Sequence, residues 1–338
     1  MAAEVAHPAE AARVSSGTRR WGGAVSLVVG LVALLWVVLV ATQGQGRWPW
    51  VLFVIVAAAP FLLLPAPQVL ARARAFFAQR NSRVWLVMAA VSLYGVLLHV
   101  LSGRTRWYYV LLWPVCSLAA TLAAGVGEEG ELSAGRMLLV ALPIWILAGV
   151  WDAQLQVRVP GTIDLGLPYF AALDIALFLL LVVRRIRTLE PGYDISWRDA
   201  AAAVGAVLAL LIVALPVGYL IGFLHFNVRW ISLPYAVGRL VGLVMFVGLP
   251  EELLFRGIIQ EAFSRLWGAR NGWLLASVLF GLTHIVKHAP PLNWRYALLA
   301  TFAGLAYGWV YRRTGRLAAA ALTHGLVDWA WGTLLLVP

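Results

Sequence analysis

Long apolar runs separated by short, arginine-bearing segments set the pattern of the chain. Eleven can be marked, at 24–42, 48–70, 84–102, 107–126, 136–151, 166–183, 200–224, 238–264, 272–288, 294–311 and 317–337. An apolar helix of ~20 residues rising ~1.5 Å per residue matches the ~30 Å hydrocarbon core of a bilayer. The pattern predicts an all-α polytopic membrane protein of about eleven transmembrane helices. The run at 136–151 is short and the run at 238–264 is long. Pro250 inside the latter predicts a kink just before two glutamates. Residues 1–23 are polar, small and partly basic, with Arg13, Arg19 and Arg20, and read as a disordered cytoplasmic tail. The apolar run that follows lacks a small-x-small cleavage site, so it reads as an uncleaved first span.

Composition agrees with a membrane class: of 338 residues, 62% are hydrophobic and 12% charged. The net charge of +11 raises the question of a nucleic-acid partner. The arginines instead cluster in short loops, where they report orientation. With the N-terminus inside and spans alternating, seventeen of the 26 Lys and Arg fall inside, eight outside, and Arg256 within the membrane. That ratio predicts N-in, C-out, with the acidic loop at 127–135 the one segment that sits awkwardly inside. Trp48, Trp50, Trp107, Trp273 and Trp294 stand at span ends, as interfacial aromatics do. Cys116 is the only cysteine, which excludes an intrachain disulfide and a thiolate metal site.

Ionisable residues are unevenly spread. Before about residue 198 the spans hold only Asp174 and His99; after 238 they hold nearly all the rest. This divides the chain into the tail at 1–23, a scaffold of about seven helices at 24–224, and a chemical core at 238–337. In the core, Glu251-Glu252-Leu-Leu-Phe-Arg256-Gly interrupts an apolar run. Charge within a bilayer costs several kcal/mol unless it meets a partner or a wet cavity. On a helix Glu252 and Arg256 are i, i+4 and can pair, while Glu251 lies ~100° away, facing another neighbour. Next comes Phe280-Gly-Leu-Thr-His284, and in the last span His324-Gly-Leu-Val-Asp328, where Asp328 can accept from His324 one turn away. Each set taken alone also reads as a structural clasp between helices. Three in succession are cheapest if they converge on one hydrated pocket. A carboxylate and two imidazoles there suit activation of water on a carbonyl, with Glu251 as general base and histidines as oxyanion donors.

EExxxR, FxxxH and HxxxD on successive membrane helices resemble the CPBP family of glutamate-type intramembrane endopeptidases. That family includes the type II CAAX prenyl endoproteases and bacterial bacteriocin-processing or immunity-type relatives. The resemblance covers about residues 238–337 and implies a CPBP-like helical core. It also implies that Glu251 and His284 activate the water, that His324 and residue 328 hold the oxyanion, and that Glu252, Arg256 and Phe280 support them. The eukaryotic CAAX proteases carry Asn where this chain has Asp328, and an ionised Asp cannot donate. The reading therefore gives Asp328 the task of orienting His324. No cofactor is expected. The alternative is catalytic zinc on Glu251, His284 and His324, although no HExxH is present. The function read from the sequence is an intramembrane endopeptidase acting on a membrane-associated protein or peptide precursor, in a bacterial inner membrane and without a nucleic-acid partner. A C-terminal sorting tail or a secreted peptide precursor is the favoured substrate, and no oligomeric state is legible. A non-catalytic immunity or partner-binding protein, and a proton-coupled transporter, remain as alternatives. The absence of visible repeated halves counts against the transporter.

Other polar residues read as structural. Asp174 is expected to bond an aromatic across helices, His99 to pack, and His225 and His288 to lie at an interface. Glu261 is expected to pair with Arg265, and Gly304 with Gly308 to permit close helix packing.

Overall fold

The computed structural model describes residues 18–45, 48–78, 80–101, 107–128, 131–148, 156–158, 164–186, 194–226, 231–286 and 292–336. Twelve helices run through them. The first six are α1 (Thr18–Gln45), α2 (Trp48–Leu63), α3 (Pro67–Phe77), α4 (Asn81–Leu101), α5 (Trp107–Ala124) and α6 (Ala134–Ala148). They are followed by α7 (Leu167–Val183), α8 (Trp197–Leu220) and α9 (Leu233–Trp267). The last three are α10 (Ala269–Thr283), α11 (Trp294–Thr314) and α12 (Leu317–Leu334). Among the described residues four helices, α4, α5, α8 and α9, are long and apolar enough to cross a membrane alone. The pair α2–α3, bent by 104°, makes a fifth candidate. Shorter apolar helices are Ala24–Leu35 within α1, α6 and α7. The protein is an integral membrane protein built of helices.

Two local differences from the sequence pattern have clear causes. The run at 48–70 is not one helix: it breaks between Leu63 and Pro67, where Pro65 and Pro67 remove backbone donors and disfavour helical geometry in the residues before them. The first helix begins at Thr18, inside the segment expected to be a tail, while 1–17 lie outside the described residues. His288 also lies outside them. Trp273, expected in an interfacial belt, donates from Nε1 to the Leu305 carbonyl at 2.9 Å and ties α10 to α11.

The acidic loop after α5 is where arginines from three other places meet. Arg136 at the start of α6 pairs with Glu128 and donates to Ala123 O at 2.9 Å. Arg184, beyond α7, donates to Glu128 O at 2.6 Å. Arg265, near the end of α9, donates to Leu132 O at 3.4 Å and pairs with Glu261 at 2.9 Å. The hydrogen bond from Arg136 holds the Glu128 carboxyl below its ordinary range. These segments therefore share one face of the molecule, and the acidic loop is their counter-charge.

The packing that matters for the site is between α9 and α12, which run antiparallel. Gly248 of α9 sits so close that a Cβ there would lie 2.6 Å from the Ala321 carbonyl oxygen. Four residues back along α9, a Cβ on Gly325 of α12 would lie 2.9 Å from the Val244 backbone nitrogen. Trp329 Nε1 donates to Ala236 O at 3.0 Å further along the same seam. A short antiparallel pair, β1 (Gln156–Arg158) with β2 (Asp164–Gly166), precedes α7. A second pair, β3 (His225–Phe226) with β4 (Leu335–Leu336), ties the end of α12 to the end of α8. Gly304 and Gly308 do face neighbours closely, namely Ser277 of α10 and Gln260 of α9.

Valine at Gly248 or Gly325 must push α12 off α9, at an expected cost of ~1–3 kcal/mol. Thermal unfolding of the purified protein checks this. Gly238→Ala, where nothing lies within 4 Å of the added Cβ, should leave the melting temperature nearly unchanged.

Candidate active site

The two glutamates stand midway along α9, between two π-helical stretches, Val244–Gly248 and Leu253–Gln260. Pro250 has no N–H to give to Phe246 O. The chain takes up the mismatch by widening the turn before it, so that the Leu249 N–H bonds back to Val244 O. At Pro250, where a kink was expected, the turn widens locally within one continuous helix of 35 residues. Widened turns of this kind rotate the side chains that follow and are frequent at functional sites.

Glu252 and Arg256 are both fully buried, with Arg256 Nε donating to Glu252 Oε2 at 2.8 Å. The other Glu252 oxygen lies 2.9 Å from His324 Nδ1. Because Arg256 holds Glu252 as a carboxylate, the Nδ1–H is the donor in that contact. Among the described residues the Arg256 Nη atoms make no hydrogen bond. The guanidinium instead lies over the Phe280 ring at 5.4 Å and the Tyr307 ring at 6.0 Å, where cation–π attraction replaces part of the lost solvation. Tyr307 also stacks on His324, with centroids 4.4 Å apart and planes 16° from parallel. The imidazole is therefore held at Nδ1 by Glu252 and on one face by Tyr307.

Nε2 of His324 consequently points the other way. It lies 3.9 Å from Glu251 Oε2 and 3.5 Å from Asp328 Oδ2. The orienting partner expected from the sequence was Asp328; the hydrogen bond that fixes the ring comes from Glu252, and Asp328 faces the outward nitrogen. Exposure separates the carboxylates. Glu252 is sealed at 0%, while the side chains of Glu251 and Asp328 are 20% and 34% exposed. The open side of the cluster thus holds Glu251, Asp328 and Nε2 of His324.

His284 caps the C-terminal end of α10, 6% exposed. Its Nδ1 lies 2.9 Å from Phe280 O. A carbonyl only accepts, so the proton sits on Nδ1, and in the neutral ring Nε2 carries the lone pair. Phe280 lies between the two histidines, 4.7 Å from the His284 ring and 5.7 Å from that of His324, and packs edge-on to Phe255. Counted along the sequence, His284 and His324 fall at different depths. The helices are staggered so that the Phe280 ring nevertheless touches both.

Aromatic members of the site are not visible in the motifs. Tyr307 is one. Tyr296 meets the His284 ring edge-on at 5.0 Å. Tyr169 comes from α7, far away in sequence. It lies within electrostatic reach of Glu251 and Glu252, and its buried hydroxyl has no hydrogen-bond partner among the described residues. No sequence signal marks these tyrosines, since an aromatic in an apolar helix is indistinguishable from packing. His99 is buried and stacked on Tyr109 at 4.7 Å. Asp174 accepts from the Phe61 backbone N–H and lies near Tyr94, and His225 is exposed. Among the described residues no group of three His, Cys, Asp or Glu side chains is arranged to hold a metal ion, and Glu251, His284 and His324 are no exception.

Residues 232–330 match the model of the type II CAAX prenyl endopeptidase Rce1-like family. The resemblance carried by the three motifs is thereby shown for that segment, which contains Glu251, Glu252, Arg256, Phe280, His284, Tyr296, Tyr307, His324 and Asp328 but not Tyr169. No curated protein and no solved structure matches the chain.

Arg256→Ala would leave the Glu252 carboxylate buried with one partner fewer, an expected loss of ~3–5 kcal/mol. Denaturation in detergent measures it. Replacing both members, Arg256→Met with Glu252→Gln, should recover much of that loss, because no uncompensated charge remains.

Proposed function

We propose that the protein is an intramembrane endopeptidase that hydrolyses a peptide bond in a membrane-associated protein or peptide precursor. The observation that carries this reading is Glu251 Oε2 lying 3.9 Å from His324 Nε2, on the open side of a sealed ion pair, within the segment that matches the family model. Glu251 is the general base. It accepts a proton from a water shared with the His284 Nε2 lone pair, and the hydroxide formed attacks the scissile carbonyl. His324 donates from Nε2 to the developing oxyanion. That requires the imidazolium form, whose proton Glu251 and Asp328 flank. Glu251 then returns its proton to the leaving amine. Glu252 and Arg256 hold the His324 ring, and Phe280 spaces the two imidazoles. Tyr169 is a second donor toward the same space, supplied by the scaffold. No metal takes part in these steps.

The proposal extends to organisation. The helices up to α8 form a scaffold and those from α9 onward the catalytic core, in eleven crossings with the N-terminus inside, in a bacterial inner membrane. The convergence of Arg136, Arg184 and Arg265 on one loop supports placing those segments on one side of the membrane. The substrate favoured is a C-terminal sorting tail or a secreted peptide precursor.

Glu251→Gln should fold as well as wild type, judged by melting temperature, and lose at least ~10²-fold in cleavage rate, the scale of a general base. Comparing membrane and secreted proteomes of wild-type and Glu251→Gln cells identifies the substrate as the protein whose longer form accumulates. Full processing by folded Glu251→Gln and His284→Ala proteins would sink the reading, and a function insensitive to Glu251 would favour a partner-binding protein. Activity should survive EDTA. For topology, Glu128→Cys and Arg313→Cys on a Cys116→Ser background should label only after permeabilisation, and Ser232→Cys from outside; the reverse pattern would invert the assignment.

A further inference from the structure

A second polar site lies apart from the candidate active site. A pocket of about 340 Å³ opens between the start of α9 and the end of α12, lined by Ile231, Ser232, Tyr235, Arg239, Gly332 and Thr333. Arg239 lies across Gly332 so closely that a Cβ there would meet the guanidinium. Its Nε is buried and unbonded, and the side chain makes no hydrogen bond or ion pair with any described residue. Asp328, one turn deeper on α12, faces His324 instead. Among the described residues the pocket therefore holds a cation without a counter-charge, the hydroxyls of Ser232 and Tyr235, and no carboxylate. Thr333 gives its own proton to the Trp329 carbonyl.

Depth narrows what could fill it. Arg239 precedes Glu251 by twelve residues, ~18 Å along α9, and Gly332 follows His324 by eight, ~12 Å along α12. Half the hydrocarbon core is ~15 Å. With Glu251, midway along α9, taken at the bilayer midplane and the helix along the normal, these rises put the pocket near the level of lipid phosphates. The opposite face of this end of α9, Leu233, Val237 and Val241, is apolar and at least half exposed, as a lipid-bathed surface is. A guanidinium at that depth lies among lipid headgroups, and a phosphodiester matches its fork of donors.

We propose that this pocket binds the phosphate of a membrane phospholipid, held by Arg239 with Ser232 and Tyr235, and so fixes the outer ends of α9 and α12 against each other. The site does not depend on the chemistry proposed for Glu251. The test is lipid retention by the purified full chain in detergent, read by native mass spectrometry with phosphatidylglycerol titrated against a phosphate-free glycolipid. Wild type should retain phosphatidylglycerol and not the glycolipid. Arg239→Gln should bind it about tenfold more weakly, the loss of one charge-assisted contact. Arg239→Lys should fall between, and Arg270→Gln, which removes an exposed charge elsewhere, should match wild type. If Arg239→Gln does not fold, the double change Ser232→Ala with Tyr235→Phe should still weaken binding about threefold. Equal retention by the variants, or equal retention of the glycolipid, would overturn the proposal. So would displacement of lipid by a peptide with a free C-terminal carboxylate but not by its amide, which would make the pocket a peptide site.

Discussion

A carboxylate and a guanidinium taken wholly out of water in the middle of a helix are the constraint on which the rest of this site depends. Glu252 and Arg256 cannot be left alone there, since each unpaired charge would cost several kcal/mol. The structure answers with a hydrogen bond between them, two aromatic faces against the guanidinium, and an imidazole on the second carboxylate oxygen. That last contact has the largest consequence. By taking Nδ1 of His324, the sealed pair turns Nε2 toward the two carboxylates that water can reach. The structural clasp between helices and the candidate chemistry are thus not competing readings of these residues. The first aims the second.

Meeting that requirement needs close helices, and close helices need particular small residues. Gly248 and Gly325 stand on opposite sides of the α9–α12 seam, each against backbone atoms of the other helix. The ordinary helical step between Glu251 and Glu252, which lie in the α-helical stretch between the two π-helical turns, faces Glu252 inward and Glu251 to the open side. Behind α9, Ala176, Leu177, Leu180 and Leu181 of the scaffold helix α7 line a small void together with Leu253 and Ile258. The same helix also brings Tyr169 within electrostatic influence of both glutamates. The segment matching the family model is therefore not a self-contained site: one buried hydroxyl beside it comes from the part of the chain that matches nothing.

How legible this was depends on the kind of signal. The EExxxR, FxxxH and HxxxD motifs stood out because charge is rare and costly in an apolar helix, so each occurrence is informative. The Glu252–Arg256 pair followed from i, i+4 spacing alone. The orienting partner of His324 did not. Asp328 satisfies the same local spacing, but Glu252, 72 residues away, holds the better position at 2.9 Å. Local periodicity is blind to competition from another helix. The same blindness hid Tyr307, Tyr296 and Tyr169, and ran α2 and α3 together, where an apolar count overrode two prolines.

The residues alone determined that the chain is helical and lies in a membrane, which residues bear chemistry, and that these belong late in the chain. Those conclusions rest on free energies of transfer and on the helical repeat, which each stretch of sequence carries within itself. Only the tertiary structure decided which nitrogen of His324 faces the open side, which carboxylate is sealed and which exposed, and which tyrosines enclose them. Those are outcomes of helices approaching one another to within a glycine's width. Such an approach belongs to a pair of surfaces and is written in neither of them singly.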